Sequence, residues 1–299
     1  MPRTTRRLLI TGASGQLGSY LLREACARDN PTVAWSRRPA ATTFDCDCQS
    51  VDLREVDTVV AAFREARPDL VVHAAALSSI GACFENAMEA RQTNTTATRL
   101  LAELAERGGV RMVYISTDLV FDGEAQWYRE DACPAPLSVY GRTKVAAERC
   151  VLGHARQLVL RLSLLFGPSI NGRESFFDQQ LKALRTAAPC RLFADEWRTP
   201  VSLLAAARAV LTAADSGATG LLHLGGPERM SRLEMGTRLA NVIGADALRI
   251  SAINRCDVET PEPRPRDTSL CCDLWKQTFP DVSSPSFEEA LRGMGIGPE

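Results

Sequence analysis

The feature that most limits what this chain can fold into lies within its first twenty residues. Residues 7–11 form a short apolar run, read as a buried parallel strand. Gly12-Ala13-Ser14-Gly15-Gln16-Leu17-Gly18 follows at once, and a helix is predicted over 17–28. A buried strand that turns through glycines into a helix is the phosphate-binding corner of a dinucleotide fold. The first glycine permits the tight turn, the second lets a pyrophosphate approach the backbone, and the third allows the helix to pack closely on the strand. The amides of Ser14, Gln16 and Leu17 stand at the helix start, where the dipole favours phosphate. The spacing is GxxGxxG and not GxGxxG, so the strand–turn–helix setting carries more weight than the glycines alone.

The alternation continues. Strands are predicted at 32–36, 70–75, 110–116 and 158–162, with helices over 56–67 and 87–107, the second ended by Gly108-Gly109. Repeated βαβ units imply an α/β fold with a doubly wound, mostly parallel sheet, a Rossmann architecture. The second half has no such series. Ser231-Arg-Leu-Glu234 reads as a capping box, Ser284-Pro285 as a further helix start with Gly293 at its exit, and 261–266 as an extended loop because of its three prolines. The expected organisation is a dinucleotide-binding domain over 1–168, to which 195–226 returns, and a smaller C-terminal α/β substrate lobe from 169–194 and 227–299.

The 299 residues carry a formal net charge of -1, so no global field favours nucleic acid or an anionic membrane, and any anionic ligand must be held by local groups. The longest apolar run, 201–214, is interrupted by Arg208 and falls short of the roughly 18 residues of a membrane span. Arg3, Arg6 and Arg7 precede an apolar run as in a signal peptide, but the run breaks at Thr11-Gly12, and a cytoplasmic location is expected. Ten cysteines include the tight pairs Cys46/Cys48 and Cys271/Cys272, with no histidine at ligand spacing; reduced thiols and no metal site are expected.

The acid that would meet a ribose 2′-hydroxyl belongs about 20 residues beyond the glycines. Ser36-Arg37-Arg38 stands there instead. Arg37 and Arg38 suit a 2′-phosphate, which favours NADP(H) over NAD(H). Asp52 and Leu53, after a further strand, are placed at the adenine edge.

Tyr140 and Lys144 lie four residues apart in a predicted helix, hence on one face. An ammonium beside a phenol stabilises the phenolate and lowers the tyrosine from about 10, which makes it an acid or base usable near neutrality. The strand at 110–116 ends at Ser116-Thr117, on the carboxyl edge where doubly wound sheets bind ligands, and a hydroxyl there can meet a substrate carbonyl.

With these motifs on one chain, Thr11–Gly18 (TGASGQLG), HAAA at 73–76, STDLVFDG at 116–123 and YGRTK at 140–144, the sequence resembles the extended short-chain dehydrogenase/reductases, and within them the dTDP-4-dehydrorhamnose reductase group. The segments RLSLLFGP at 161–168, DEWRTP at 195–200 and GGPERMSR at 225–232 extend the likeness to about residues 7–292. The resemblance implies that Thr117 orients a carbonyl, Tyr140 delivers the proton, Lys144 holds the nicotinamide ribose, and Ala74, Ala75 and Ala76 line the cofactor cleft, with Asn94 on a helix behind. It implies a nucleotide-sugar substrate gripped by Ser78, Phe121, Trp197, Arg198 and Arg266. A 4-keto-deoxysugar would be reduced at C4. Two alternatives stay open: an epimerase or dehydratase that retains NAD, and a non-catalytic regulatory subunit similar to that of methionine adenosyltransferase. Tyr20 stands where the rhamnose enzymes carry an acid that serves a magnesium-bridged dimer, so a homodimer is the assembly allowed while the metal is not carried over. The stretch from Ser269 to Asp273 departs from the family's usual pattern.

Overall fold

A computed structural model describes residues 6–28, 30–37 and 46–298. Arg38 lies outside the described residues.

The first half contains β1 (Leu8–Thr11), α1 (Gln16–Cys26), β2 (Thr32–Ser36), β3 (Asp47–Ser50), α2 (Val56–Ala66), β4 (Leu70–His73), α3 (Ile80–Glu85), α4 (Ala87–Arg91), α5 (Ala97–Arg107), β5 (Arg111–Thr117), α6 (Val139–Leu152) and β6 (Leu158–Leu162). The second half adds the short strands β7 (Leu165–Phe166), β8 (Cys190–Phe193), β9 (Trp197–Arg198) and β10 (Val201–Ser202), with α7 (Phe176–Arg185) between the first two. Then come α8 (Leu203–Asp215), β11 (Gly220–Leu224), β12 (Met230–Ser231), α9 (Arg232–Ile243), β13 (Ile250–Ile253), α10 (Asp273–Thr278) and α11 (Phe287–Gly293).

Seven strands form one sheet in the order β11-β6-β5-β4-β1-β2-β3, every pair parallel. The two faces explain why the strands read as unbroken apolar runs. Leu8 and Ile10 join Val72, Val113 and Leu160 in a core closed by α1 and α8, whereas Leu9 joins Val71, Met112 and Val159 in a second core closed by α2, α5 and α6. Both sides of the inner strands β1, β2, β4, β5 and β6 are therefore buried, as parallel sheets require, while the edge strand β3 stays largely exposed. A third core, built on Phe166, Phe177, Leu239, Phe287 and Leu291, holds α7, α9 and α11 together. Beside it β13 pairs in parallel with β8.

Two boundaries differ from the sequence reading. The helix predicted over 87–107 is interrupted by a π-helical turn, Gln92–Thr96. That turn buries Asn94, whose side chain accepts from Leu77 N at 2.8 Å and donates to Leu77 O and Thr143 Oγ1, both at 3.0 Å. A wider turn of this kind places a side chain that 3.6-residue periodicity would misdirect. The last helix begins two residues later than Ser284-Pro285 suggests. Ser286 is its cap, reciprocated by Glu289, and the Ser284 hydroxyl instead donates to Gly225 O at 3.3 Å.

Candidate active site

The glycine loop is built as its spacing demands. Gly12 has φ +72°, and a Cβ there would lie 2.6 Å from the backbone of Ala75. A Cβ on Gly18 would overlap the carbonyl oxygen of Gly12, so α1 packs directly on the turn. Gly18→Ala is therefore expected to destabilise the protein by about 1–3 kcal/mol through overpacking, read from the urea unfolding midpoint. The start of α1 has no side-chain cap and no acid in its first turn. Its free amides face a cleft, and the buried Gln16 Oε1 beside them has no partner among the described residues. An uncapped helix start, a turn that excludes side chains and an orphan polar atom fit a dinucleotide pyrophosphate.

This cleft, of about 630 Å³, is continuous from the glycine loop to the carboxyl end of β5 and the start of α6. Gly12, Ser14, Gly15, Gln16, Leu17 and Gly18 line one end, with Arg37, Asp52 and Leu53 beside them. Ala74, Ala75, Ala76 and Ser78 follow the end of β4, and Thr117, Tyr140 and Lys144 line the far end. Sequence reasoning missed several walls: Arg54, Glu89, Leu164, Leu165, Arg173 and Phe176. Arg54 donates to Asp52 through Nε at 2.9 Å and through its NH2 group at 2.5 Å, which holds the Asp52 carboxyl below its ordinary range. Arg54 could have been found, two residues beyond Asp52. Glu89 could not, because only tertiary packing brings α4 to the ends of β2 and β3.

Ser138 caps α6 by accepting from Gly141 N at 3.1 Å, which fixes where the helix begins and sets Tyr140 and Lys144 one turn apart on one face. The Tyr140 side chain is almost wholly buried, with Thr117 among the groups that act on its hydroxyl. Lys144 Nζ donates to Ile115 O at 2.6 Å and lies 4.2 Å from the centre of the Tyr114 ring. The expected lowering of Tyr140 by Lys144 is not what this geometry gives. Burial pushes the Tyr140 hydroxyl upward, and Asp118 and Cys83 add to the rise, with only Thr117 opposing it. Burial also pushes Lys144 down to about 7, against the pull of Glu148. Tyr140 is thus held as a protonated phenol.

The Lys144 shift has a consequence for stability. A lysine held at about 7 when folded and at about 10.4 when unfolded leaves the unfolded chain with more bound protons between those values. Stability should therefore rise with pH across that window. The cofactor-free Lys144→Met variant should lose this rise, checked by comparing the pH dependence of its urea midpoint with that of the wild type.

Behind the site lies a buried ion pair. Arg161 meets both oxygens of Glu148, through Nε at 3.0 Å and through its NH2 group at 2.7 Å, and Ser116 Oγ donates to the same carboxylate at 2.5 Å. This pair ties α6 to the ends of β5 and β6, and so fixes Tyr140 relative to Thr117.

The expected sugar-binding set divides. Ser78 is exposed in the cleft wall. Phe121 is core: its ring stacks on Tyr128 at 4.1 Å, with Arg161 5.1 Å from its centre. Arg198 is buried against Asp118 at 3.5 Å and donates to Trp197 O at 2.7 Å. The Trp197 ring carries the Arg229 guanidinium at 4.1 Å, and Arg264 is paired with Glu196. Arg266 is exposed, and its carbonyl accepts from Trp197 N at 2.7 Å. Phe121, Trp197, Arg198 and Arg266 all lie off the cleft lining. Of these, Arg198 joins the second half of the chain to the end of β5 through Asp118, a use that composition cannot separate from ligand binding. Tyr20 is buried and donates to Pro168 O at 2.8 Å. Among the described residues no group of three or more His, Cys, Asp or Glu side chains is placed to hold a metal, and no helix is long and apolar enough to cross a membrane.

Sequence comparison decides the family. The model of the RmlD substrate binding domain matches residues 6–295. The chain belongs to the RmlD substrate binding domain family. Within reach of this RmlD-family chain, the Haloferax volcanii protein named "Probable low-salt glycan biosynthesis reductase Agl14" is 32% identical over 265 residues, covering 87% of this chain and 88% of its own. The dTDP-4-dehydrorhamnose reductase of Sinorhizobium fredii is 29% identical over 298 residues, covering 96% and 95%. The methionine adenosyltransferase 2 subunit beta of Danio rerio is 29% identical over 294 residues, covering 96% and 89%. In fold, the crystal structure of dTDP-4-dehydrorhamnose reductase from Bacillus anthracis in complex with NADP superposes with a TM-score of 0.87 at 22% identity, covering 98% of this chain and 99% of that one.

Proposed function

We propose that this RmlD-family chain is an NAD(P)H-dependent oxidoreductase that reduces the C4 carbonyl of a nucleotide-linked 4-keto-deoxysugar, with Tyr140 as proton donor. The observation that carries the reading is the single cleft that joins the glycine loop to Thr117, Tyr140 and Lys144. The family and its reductase relatives support it. Residues 12–18 would hold the pyrophosphate, Arg37 and Arg54 the adenosine end, and Lys144 the nicotinamide ribose. When bound, the cofactor supplies the hydride. Thr117 orients the carbonyl oxygen by donating a hydrogen bond. Tyr140 gives its phenolic proton to that oxygen as the C–O bond becomes a single bond, so the product is an alcohol and the tyrosine a phenolate.

The preferred cofactor is NADP(H), because Arg37 stands where an acid would select a free 2′-hydroxyl. We also assign 1–168 with 195–226 to the dinucleotide-binding domain and the remainder to the substrate lobe, and place the protein in the cytoplasm.

The test is NADPH oxidation with a panel of nucleotide-linked 4-keto-6-deoxysugars. Turnover with at least one member is expected; none, from protein shown to bind the cofactor, overturns the reading. The relative named as an adenosyltransferase subunit favours a second, regulatory reading. Cofactor binding without turnover, together with stoichiometric capture of a methionine adenosyltransferase, is the result that would establish it.

A further inference from the structure

At the adenosine end of the cleft, where the sequence suggests a positive site, the described guanidiniums are each paired with a carboxylate. Arg37 and Arg54 both point their NH1 groups at one oxygen, Glu89 Oε1, each at 3.1 Å. Arg54 spends its Nε and NH2 groups on Asp52. Two guanidiniums are thus matched by two carboxylates among the described residues. Glu89 is held in place by its own helix. Its amide donates to Asn86 Oδ1 at 3.1 Å, and Asn86 Nδ2 donates to Glu89 Oε2 at 3.3 Å. The carboxylate is therefore fixed from both sides, one oxygen by the helix cap and the other by the arginines. Glu89, Arg37, Asp52 and Arg54 line the same wall.

We infer that Glu89 sets the discrimination between 2′-phosphorylated and unphosphorylated dinucleotides. It supplies, from α4, the acid that the end of β2 lacks. A ribose 2′-hydroxyl can donate to a fixed carboxylate. A 2′-phosphate carries a charge of about -1.5 to -2, needs the two NH1 groups that Glu89 occupies, and meets a like charge there. Glu89 narrows the NADP(H) preference that Arg37 and Arg54 confer. The inference rests on the proposed reading that this cleft takes a nicotinamide dinucleotide.

The experiment compares Glu89→Gln with the wild type, using adenosine 2′,5′-bisphosphate and AMP as probes by calorimetry, and NADPH against NADH by kcat/KM. Glutamine retains the length of the side chain and an oxygen for the arginines but removes the charge. The affinity ratio of bisphosphate to AMP is expected to rise by about tenfold, as charge-assisted bonds to the phosphate replace those to the carboxylate, and the NADPH to NADH ratio should rise with it. Added salt should shrink the difference between the proteins, since these side chains are partly exposed. An unchanged ratio in a variant that binds AMP as the wild type does overturns the inference, and a fall in the ratio does so by making Glu89 a support for the arginines. A wild type that binds neither probe nor either dinucleotide removes the cofactor reading itself, a failure distinct from an unchanged ratio.

Discussion

Replacing Tyr140 by phenylalanine is expected to lower kcat for the keto-sugar reduction by about 10²- to 10⁴-fold, the usual share of a positioned general acid, while cofactor affinity stays within about twofold, since the glycine loop is far along the cleft from this hydroxyl. The substitution removes one oxygen from a buried ring that retains its packing against Cys83 and Ala90. The Thr117 hydroxyl keeps its bonds to Asp118 Oδ1 and from Leu119 N, both at 3.2 Å. Stability should change little, so the loss belongs to chemistry. The measurement is NADPH consumption at saturating sugar beside a fluorescence titration of NADPH. Activity near the wild-type level would remove Tyr140 from the proton-donor role.

The second large effect concerns stability. Glu148→Leu leaves the Arg161 guanidinium buried without its carboxylate, and it strands the Ser116 hydroxyl as well. Breaking one side of a buried pair costs about 3–5 kcal/mol, because the remaining charge has lost both its counter-ion and its water. His223 cannot take over: it lies 3.4 Å from Arg161 and is held uncharged, its value pushed down to about 3 by burial and by the Arg161 charge. The double variant Glu148→Leu, Arg161→Met should recover most of the loss, since an apolar pair of similar volume avoids both desolvation penalties. Urea unfolding of the three proteins checks this. A single variant that unfolds like the wild type would show that water or a shifted side chain reaches Arg161.

Much of the architecture was legible because it depends on local rules. The glycine turn, the two-sided burial of β1, β4 and β6 and the capping box at Ser231 each follow from a few neighbouring residues. The cleft residues from the glycine loop, β4 and α6 were legible for the same reason. What sequence could not give is set by contacts between distant segments. Arg198 looks like a ligand group in its motif, yet Asp118, 80 residues earlier, claims it. Phe121 looks available beside Thr117, yet Tyr128 and Arg161 enclose it. The direction of the Tyr140 shift is not legible in sequence, because adjacency to a lysine is visible there whereas desolvation is not.

The late strand β11 has a consequence for how the molecule is assembled. It completes the sheet beside β6, and α8 just before it covers α1, at the opposite end of the sequence. Synthesis from the N-terminus must therefore proceed for some sixty residues beyond β6, to Leu224, before that strand has its second neighbour. Until then Leu158–Leu162, all five residues of which are buried in the finished protein, presents an open row of amides and carbonyls with apolar side chains on both faces. A nascent chain halted near residue 168 would hold most of the cofactor wall yet offer the ribosome's surroundings an adhesive edge, so chaperone demand should peak there and fall once residue 224 has emerged.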